Sequence, residues 1–321
     1  MPKVTKDDQV NSEIVSKFKG LDFVTLWEGR DKVDQLEKSI LHTFLKNTDG
    51  KRVLEIGPGE GRLTDIIQSH SSEYVATDIN ESFLKKVKER SKLEKSLYVS
   101  SNLYHLPFCD NSFSTVVIVR VFNFISQPLQ VMKELSRIII PGGNLLISVS
   151  PKPSLSTLID DLKYSASNER ERMSKRSTIT FSNYNMSEVH PASYPTFAFK
   201  RSFIRNLFEV SGFIELTKIS SGLEDYLMLN TLPVRSLLRI GTIFKSIPIF
   251  PTDFFLLQKK CDLSGPLEFV QEIFQCPKCQ SKLSKQENAN ELICKHCGYI
   301  GTVNDGIINL TFLPEDAKVV D

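Results

Sequence analysis

The segment with the clearest chemistry is a glycine-rich turn, Glu55-Ile56-Gly57-Pro58-Gly59-Glu60-Gly61, which joins a predicted strand to a predicted helix. Glycine permits unusual backbone angles and close approach of a ligand. The helix start that follows offers unpaired N–H groups to an anion. A dinucleotide site prefers G-x-G-x-x-G, but the last position of that pattern is Arg62 here. The spacing therefore indicates another kind of cofactor site, with a ligand-free turn as the alternative.

A second chemical pattern is formed by four cysteines in the order C-x2-C-x14-C-x2-C, namely Cys276, Cys279, Cys294 and Cys297. Two such turns can place four thiolates tetrahedrally around one zinc ion. Four protein ligands leave no open coordination position, so we predict one structural zinc. Free cysteines or two disulfides are the alternative. His296 is a spare ligand candidate that we interpret as a turn residue.

The elements around these patterns predict an α/β fold. Short apolar runs alternate with amphipathic runs from Lys51 to Val149, which indicates a mostly parallel sheet with helices on both faces. We expect a helical cap over 1–47, a polar insertion or lid over 151–195, and two further strands within 213–219 and 254–258. Pro141-Gly142-Gly143 is expected to separate a helix from the fifth strand. The predicted domains are 1–262 and, after a break, 270–312.

The order of several short motifs between Val53 and Val149 resembles class I S-adenosylmethionine-dependent methyltransferases. Besides the glycine turn, these are Asp78 at the end of the second strand, Leu106-Pro107-Phe108 with Asp110-Asn111-Ser112-Phe113, and Glu134-Leu135-Ser136-Arg137 with the following Pro-Gly-Gly. The resemblance implies a Rossmann-like sheet of seven strands and methyl transfer from S-adenosylmethionine. It also implies that Asp78 accepts both ribose hydroxyls and that Asn102, where the family often has Asp, accepts from the adenine amine. The implied cofactor residues are Glu55, Gly57, Gly59, Gly61, Asp78, Ile79, Asn102 and Leu103.

The C-terminal segment resembles small zinc-ribbon proteins. Cys297-Gly298-Tyr299 followed by Asp305-Gly306-Ile307 is similar to the ending of that family, although Ile308 stands where the family often has Pro. A related ribbon is an activator subunit for methyltransferases of tRNA, rRNA and a release factor. The resemblance therefore implies RNA or a translation factor as a candidate partner.

The acceptor side has weaker candidates, and we find no catalytic dyad. Arg120 follows the fourth strand, where open α/β sheets place ligands, and is predicted either to hold an acidic group or to form a structural ion pair. Trp27 can stack on an acceptor ring or pack in the core. Arg30, His105 and His190 complete the candidates. The Asn-Pro-Pro-Tyr motif of amine-methylating members is replaced by residues 120–123, which argues against adenine N6 or glutamine amide acceptors.

Composition favours a globular protein without an extended basic surface. Forty basic and 38 acidic residues give a net charge of +2, and the N-terminal residues lack a signal-peptide core. No apolar run is long enough to span a membrane, since the nearest, 237–257, is interrupted by charges and prolines. We expect a cytoplasmic enzyme. The basic run 170–176 is interpreted as a solvated helix face, and 237–245 as a helix packed under the last strand, with membrane-surface association the less favoured alternative.

These observations favour a small-molecule acceptor, for example an amphiphile, because no extended basic surface is visible. Two alternatives stay open. One is a tRNA, rRNA or translation-factor methyltransferase that docks its substrate through the ribbon. The other is a non-catalytic S-adenosylmethionine-binding protein.

Overall fold

The structure is a computed structural model of the whole chain. It describes Trp27 and residues 29–152, 180–181, 184–188, 195–222, 229–248, 250–261, 273–285 and 290–313. The helices of the described part are α1 (Asp31–Leu45), α2 (Thr64–Ser69), α3 (Glu81–Arg90), α4 (Pro128–Ile138), α5 (Arg201–Val210) and α6 (Val234–Ile243).

The strands fall into a methyltransferase-like region and a C-terminal ribbon. The first region contains β1 (Arg52–Ile56), β2 (Glu73–Asp78), β3 (Ser96–Ser100), β4 (Phe113–Ile118), β5 (Ile139–Val149), β6 (Pro151–Lys152), β7 (Thr180–Phe181), β8 (Tyr184–Glu188), β9 (Pro195–Lys200), β10 (Phe213–Ser221) and β11 (Thr252–Lys259). The ribbon contains β12 (Leu283–Lys285), β13 (Glu291–Cys294), β14 (Ile300–Asn304) and β15 (Ile307–Asn309).

The central sheet has the strand order β10-β11-β5-β4-β1-β2-β3-β15-β14-β13-β12. Strands β1 to β5 pair in parallel, whereas β11 is antiparallel to β5 and to β10. The chain order reverses between β1 and β4, so the carboxyl ends of the parallel strands diverge there and leave a crevice. The predicted α/β class with a mostly parallel sheet and helices is confirmed. The seven strands from β10 to β3 form that part of the sheet, and the four ribbon strands extend it to eleven.

Two apolar clusters cover the two faces of this sheet. Side chains of α4 and α5, including Leu135 and Leu207, pack on one face, and those of α1, α3 and α6, including Ile40 and Leu237, pack on the other. All strand residues of β4 are buried, as is typical of a strand in a sheet that is covered on both faces. The sheet is therefore a rigid layer between two layers of helices.

The fifth strand differs from the expectation. It begins at Ile139, directly after α4, and runs through Pro141, Gly142 and Gly143 rather than starting after them. Its pairing with β4 shifts register between Phe113 and Thr115, which is a bulge that accommodates the Pro-Gly-Gly sequence. The prediction that these three residues separate the helix from the strand was wrong because they are absorbed into an irregular strand.

Part of the predicted insertion forms a small second sheet, with the order β6-β9-β8-β7. Its strand β9 is anchored in the main core through Phe197 and Phe199, and the Phe199 ring lies 5.5 Å from that of Phe122. From the sequence we expected an insertion or lid over 151–195, and these strands were not predicted. The basic run 170–176 lies outside the described residues.

The ribbon continues the central sheet. Strand β15 pairs in parallel with β3, with Ile308 opposite Val99, and its neighbours β14, β13 and β12 follow by antiparallel pairing. Ile273 and Leu310 belong to the same buried cluster as the sheet core. The eleven-stranded sheet therefore includes both predicted domains, and the ribbon covers the edge that β3 would otherwise expose.

No helix in the described ranges is both long and apolar enough to cross a membrane. The apolar stretch 237–257 divides between α6 and β11, in accordance with the charges and prolines that interrupt it.

Candidate cofactor pocket and metal centre

A cavity of about 610 Å³ opens at the carboxyl ends of β1, β2 and β4. All predicted cofactor residues except Gly61 line it, namely Glu55, Gly57, Gly59, Asp78, Ile79, Asn102 and Leu103. Three of the five acceptor-side candidates also line it, namely Trp27, Arg30 and Arg120. The strand order places the ends of β2 and β3 on one side of the glycine turn and the end of β4 on the other.

The glycine turn leaves β1 with a left-handed residue. Gly57 has φ = +66°, and a Cβ there would lie 2.4 Å from the Cγ2 atom of Val121. Gly59 also has positive φ, but no atom lies within 4 Å of a Cβ placed there, so the turn is open towards the cavity. Gly57 is therefore required for packing against the end of β4, whereas Gly59 leaves room for a ligand.

Glu55 is a buried carboxylic acid at the floor of this cavity. Its Oε2 accepts hydrogen bonds from the hydroxyls of Tyr74, at 2.5 Å, and Thr64, at 2.9 Å. Burial raises the pKa of Glu55 to about 7, against the lowering effect of these two hydroxyls. Near neutral pH the Glu55 side chain is therefore partly protonated. Its Oε2 atom is already occupied by the hydroxyls of Tyr74 and Thr64.

Asp78 ends β2 and has a shifted pKa of its own. The backbone N–H of Asn80 donates to its Oδ1 at 2.9 Å, and backbone N–H groups of Gly59 and Ile79 lower its pKa further. Burial nevertheless outweighs these bonds and raises the pKa of Asp78 to about 6. An ionised Asp78 still has room to accept a hydrogen bond from a hydroxyl group in the cavity.

Asn102 has neighbours that the sequence did not suggest. Its Oδ1 accepts from the Tyr104 backbone N–H at 3.1 Å, and its Nδ2 donates to the backbone carbonyl of Phe312 at 3.1 Å. His105 does not line the cavity, and its ring packs edge-to-face on Phe312 at 5.3 Å. The residues that leave the ribbon thus hold the loop that forms the β3 side of the cavity.

Arg120 forms an ion pair, as one of its two predicted roles required. Its guanidinium donates to Glu37 of α1 and, at 3.0 Å, to the Thr252 hydroxyl. Glu37 is fully buried and also pairs with Arg62 at 2.6 Å. Arg62 in turn lies 3.7 Å from the centre of the Trp27 ring. This chain of contacts fixes Trp27, Arg62 and Arg120 at the wall and mouth of the cavity.

Glu37 was missed in the sequence, although a signal was present. It stands on the same helical stripe as Val33, Ile40 and Phe44, which are all buried. A carboxylate on an apolar stripe requires a buried cationic partner. Its partners come from the glycine turn and from the end of β4. His190, the remaining candidate, lies outside the described residues.

The motifs around Leu106 and Arg137 have a structural role. The Arg137 guanidinium donates to the carbonyls of Leu106, at 3.1 Å, and Phe108, at 2.5 Å. It also pairs with Glu134, whose Oε2 accepts from the Leu106 N–H at 3.2 Å. These contacts, which we call the Arg137 clamp, tie α4 to the loop between β3 and β4.

The four cysteines form two equivalent turns in the ribbon. The Cys276 N–H donates to the Ser281 carbonyl and the Cys294 N–H to the Tyr299 carbonyl, each at 2.8 Å. The fifth residue of each turn, Gln280 or Gly298, is left-handed, with φ = +60° and +73°. The chain thus repeats one local conformation around a common point.

The four Sγ atoms lie within 4.8 Å of one another, and two Sγ pairs are 3.5 Å apart. Zinc–sulfur bonds of about 2.3 Å in a tetrahedron require sulfur atoms about 3.8 Å apart. Cys276 and Cys294 are fully buried. The donor set and its spacing therefore fit a tetrahedral thiolate site.

Comparison with known proteins supports the fold and the class of domain. Residues 54–147 match the family model described as a methyltransferase domain. The ubiquinone/menaquinone biosynthesis C-methyltransferase UbiE of Yersinia enterocolitica is 32% identical over 116 residues, which cover 34% of this chain and 46% of that protein. The chain thus spans about half the length of the curated relatives that it matches.

Solved structures show the same fold at low identity. A structure described as a putative S-adenosylmethionine-dependent methyltransferase from Listeria monocytogenes matches with a TM-score of 0.52 and 14% identity, over 71% of this chain and 98% of that chain. A SAM-dependent methyltransferase from Leishmania major matches with a TM-score of 0.51 and 12% identity, over 77% and 82%. The chain therefore has a methyltransferase-type α/β fold.

Proposed function

We propose that the protein is an S-adenosylmethionine-dependent methyltransferase that acts on a small-molecule acceptor. The observation that carries the proposal is the cavity itself, where seven of the eight predicted cofactor residues meet at the carboxyl edge of the sheet. When bound, the cofactor supplies an electrophilic methyl group on a sulfonium. The family match over 54–147 supports this class of reaction.

The residues of the cavity suit the parts of that cofactor. Asp78 is the acceptor for the two ribose hydroxyls, and the open turn at Gly59 leaves space beside it. Ile79 and Leu103 provide apolar cover for the adenine. The Asn102 amide keeps a second acceptor site on Oδ1 after its contact with Tyr104, since a carbonyl oxygen has two lone pairs. Glu55 lies at the floor of the cavity, beneath the glycine turn.

The remaining part of the cavity favours a compact acceptor. It is walled by Val119, Val121, Phe124 and Ile125, with Trp27 at the mouth. Holding an acceptor in line with the methyl group supplies much of the rate in such a reaction, so a nearby base is not required for a good nucleophile. A partly apolar small molecule fits these walls. The name of the Yersinia relative, a C-methyltransferase of quinone biosynthesis, supports an acceptor of this kind.

The decisive experiment is methyl transfer from labelled S-adenosylmethionine into a fractionated cell extract. We expect label in the solvent-soluble or lipid fraction with the purified protein and none with Asp78→Ala, while Asp65→Ala, an exposed acidic control on α2, retains transfer. Label in RNA or protein would instead support the ribbon-docking alternative. Cofactor binding without any label would support the non-catalytic alternative.

We also propose that Cys276, Cys279, Cys294 and Cys297 hold one structural zinc within a ribbon over 270–312, next to a methyltransferase domain over 1–262. The fit of the sulfur positions supports this, and cysteine ligation of zinc is typical of a reducing compartment such as the cytoplasm. Elemental analysis should give one zinc per chain, lost in Cys276→Ser/Cys294→Ser and kept in Cys261→Ser. A folded, metal-free ribbon would contradict the proposal.

A further inference from the structure

The end of α6 exposes an unusual group of apolar side chains. Ile243, Phe244 and Ile247 are 70%, 46% and 41% exposed, so three large hydrophobic residues face solvent within five positions. Exposed hydrophobic residues are common singly, but a contiguous group marks a contact surface.

The helix that carries this group is firmly seated. Leu237 and Gly241 face inward, and a Cβ at Gly241 would lie 2.0 Å from the Ser220 carbonyl oxygen, so α6 lies directly on β10. The sequence predicts that 237–245 packs under the last strand, and this packing explains only the inner face of α6. Ile243 is the last residue of this helix, and Phe244 and Ile247 follow just after it, while the inner face of the helix is already packed on β10.

The outer face is also basic. Arg235, Arg239 and Ile243 follow one another at four-residue spacing and therefore share a stripe. Both arginines are exposed, and among the described residues none forms an ion pair with either. The sequence from 226 to 252 contains no acidic residue. Within the part of the chain that the structure describes, no ion pair balances the positive charge of this stripe beside its apolar end.

This combination is the chemistry of an anionic lipid surface. Apolar side chains enter the boundary between headgroups and acyl chains, while arginines on the same helix pair with anionic headgroups. We infer that Arg235, Arg239, Ile243, Phe244 and Ile247, together the α6 patch, form a peripheral docking surface for an anionic lipid bilayer. This reverses the preference drawn from the sequence, because the structure shows that these side chains are exposed.

The α6 patch also has a suitable position. Helix α6 packs on α1, where the Lys32 ammonium group donates to the Leu232 carbonyl at 3.2 Å, and Lys38 of α1 lines the cavity. One helix thus separates the docking surface from the cavity. If the proposed function holds, a lipid-soluble acceptor has a short path from bilayer to cavity; the docking itself does not depend on that function.

The test is co-sedimentation of the full-length protein with vesicles of phosphatidylcholine, alone or with about one third phosphatidylglycerol. We expect binding to the anionic vesicles at about 0.05 M salt and its loss at about 0.5 M. Arg235→Gln/Arg239→Gln should weaken binding about fivefold for each charge. Ile243→Ser/Phe244→Ser should weaken it by at least about tenfold.

The matched control is Val210→Ser, which removes an apolar side chain that is 60% exposed at the end of α5. It should sediment as the original protein does. Absence of binding to anionic vesicles at low salt would overturn the inference, as would equal binding of the control and the α6 variants. Methyl transfer and cofactor affinity in detergent-free solution should be unchanged in all three variants, so failure of docking is distinguishable from failure of the proposed function.

Discussion

At the scale of single residues, two carboxylic acids of the cavity have pKa values moved towards neutrality by burial. Glu55 and Asp78 lie on neighbouring strands, and each is surrounded by hydrogen-bond donors that only partly offset the loss of water. Perturbed pKa values in a cavity are typical of functional sites. Their protonation should therefore be visible in stability and in ligand affinity.

The first prediction concerns Glu55. Because its pKa is raised from 4.5 to about 7 on folding, the native state binds a proton that the unfolded state has released, and this contribution is lost as pH rises from about 4.5 through about 7. At 1.36 kcal/mol per pKa unit, the effect reaches about 3 kcal/mol. Urea unfolding should show the original protein losing stability over this interval relative to Glu55→Gln. Parallel pH profiles of the two proteins would contradict the prediction.

The second prediction concerns Asp78. If its ionised form accepts the ribose hydroxyls, as the proposed function requires, cofactor affinity should fall as pH drops below about 6. Asp78→Asn should bind about 10- to 100-fold more weakly, because a charged hydrogen bond contributes about 1.5–3 kcal/mol. Titration calorimetry measures the pH dependence of the affinity and the effect of the substitution. In the control Asp65→Asn, the affinity and its pH dependence should be those of the original protein.

At the scale of elements, the Arg137 clamp explains why two distant motifs occur together. The loop that carries Leu106 and Phe108 has backbone carbonyls with no strand partner, and a guanidinium from α4 satisfies them. This loop leads into β4, which carries Arg120 at its end. The two motifs around Leu106 and Arg137 therefore stabilise the scaffold of the site, whereas the glycine turn and Asp78 line the cavity itself.

The third prediction follows from this clamp. Arg137→Met leaves two carbonyls and Glu134 without their partner and should reduce the free energy of unfolding by about 2–4 kcal/mol. Lys133→Met, on the exposed side of the same helix, should change it by less than about 0.5 kcal/mol. Chemical denaturation measures both. If the two variants lose the same free energy of unfolding, the effect comes from helix propensity and not from the Arg137 clamp.

At the scale of the whole molecule, the ribbon and the cavity share one sheet. Strand β15 extends the sheet at β3, and Phe312 then accepts a hydrogen bond from Asn102 at the cavity wall. The Ser100 carbonyl accepts from the Leu310 N–H at 2.9 Å in the same stretch. Ordering of the ribbon therefore contributes to ordering of the cavity.

The fourth prediction is that metal removal weakens cofactor binding. If the ribbon holds zinc, chelation should loosen the Asn102 loop and reduce cofactor affinity about fivefold, the equivalent of one hydrogen bond of about 1 kcal/mol. In Asn102→Ala, chelation should have a smaller effect, because the linking contact is already gone. Titration calorimetry of both proteins, before and after chelation, gives the four cofactor affinities to be compared. Equal effects of chelation in both proteins would show that the contact does not couple the sites.

How far the sequence alone reaches can be judged from particular elements. Strands β1 to β4 were predicted because each is a short apolar run followed by turn residues. Few other secondary structures fit runs of this kind. Asp78, Gly57 and Gly59 line the cavity because their position directly after a strand fixes where they point, and the sequence alone shows that position. The cysteine turns were found because their spacing is set by local geometry.

The remaining features depend on contacts between distant segments. The course of β5 through Pro-Gly-Gly depends on a bulge against β4, and the pairing of Glu37 with Arg62 and Arg120 depends on where α1 docks. The register that joins β15 to β3 and the exposure of Ile243 were also decided only by tertiary packing. Local sequence determined which elements form and which chemical groups they carry. Burial and long-range pairing decided which of those groups meet, because both depend on residues that are far apart in the chain.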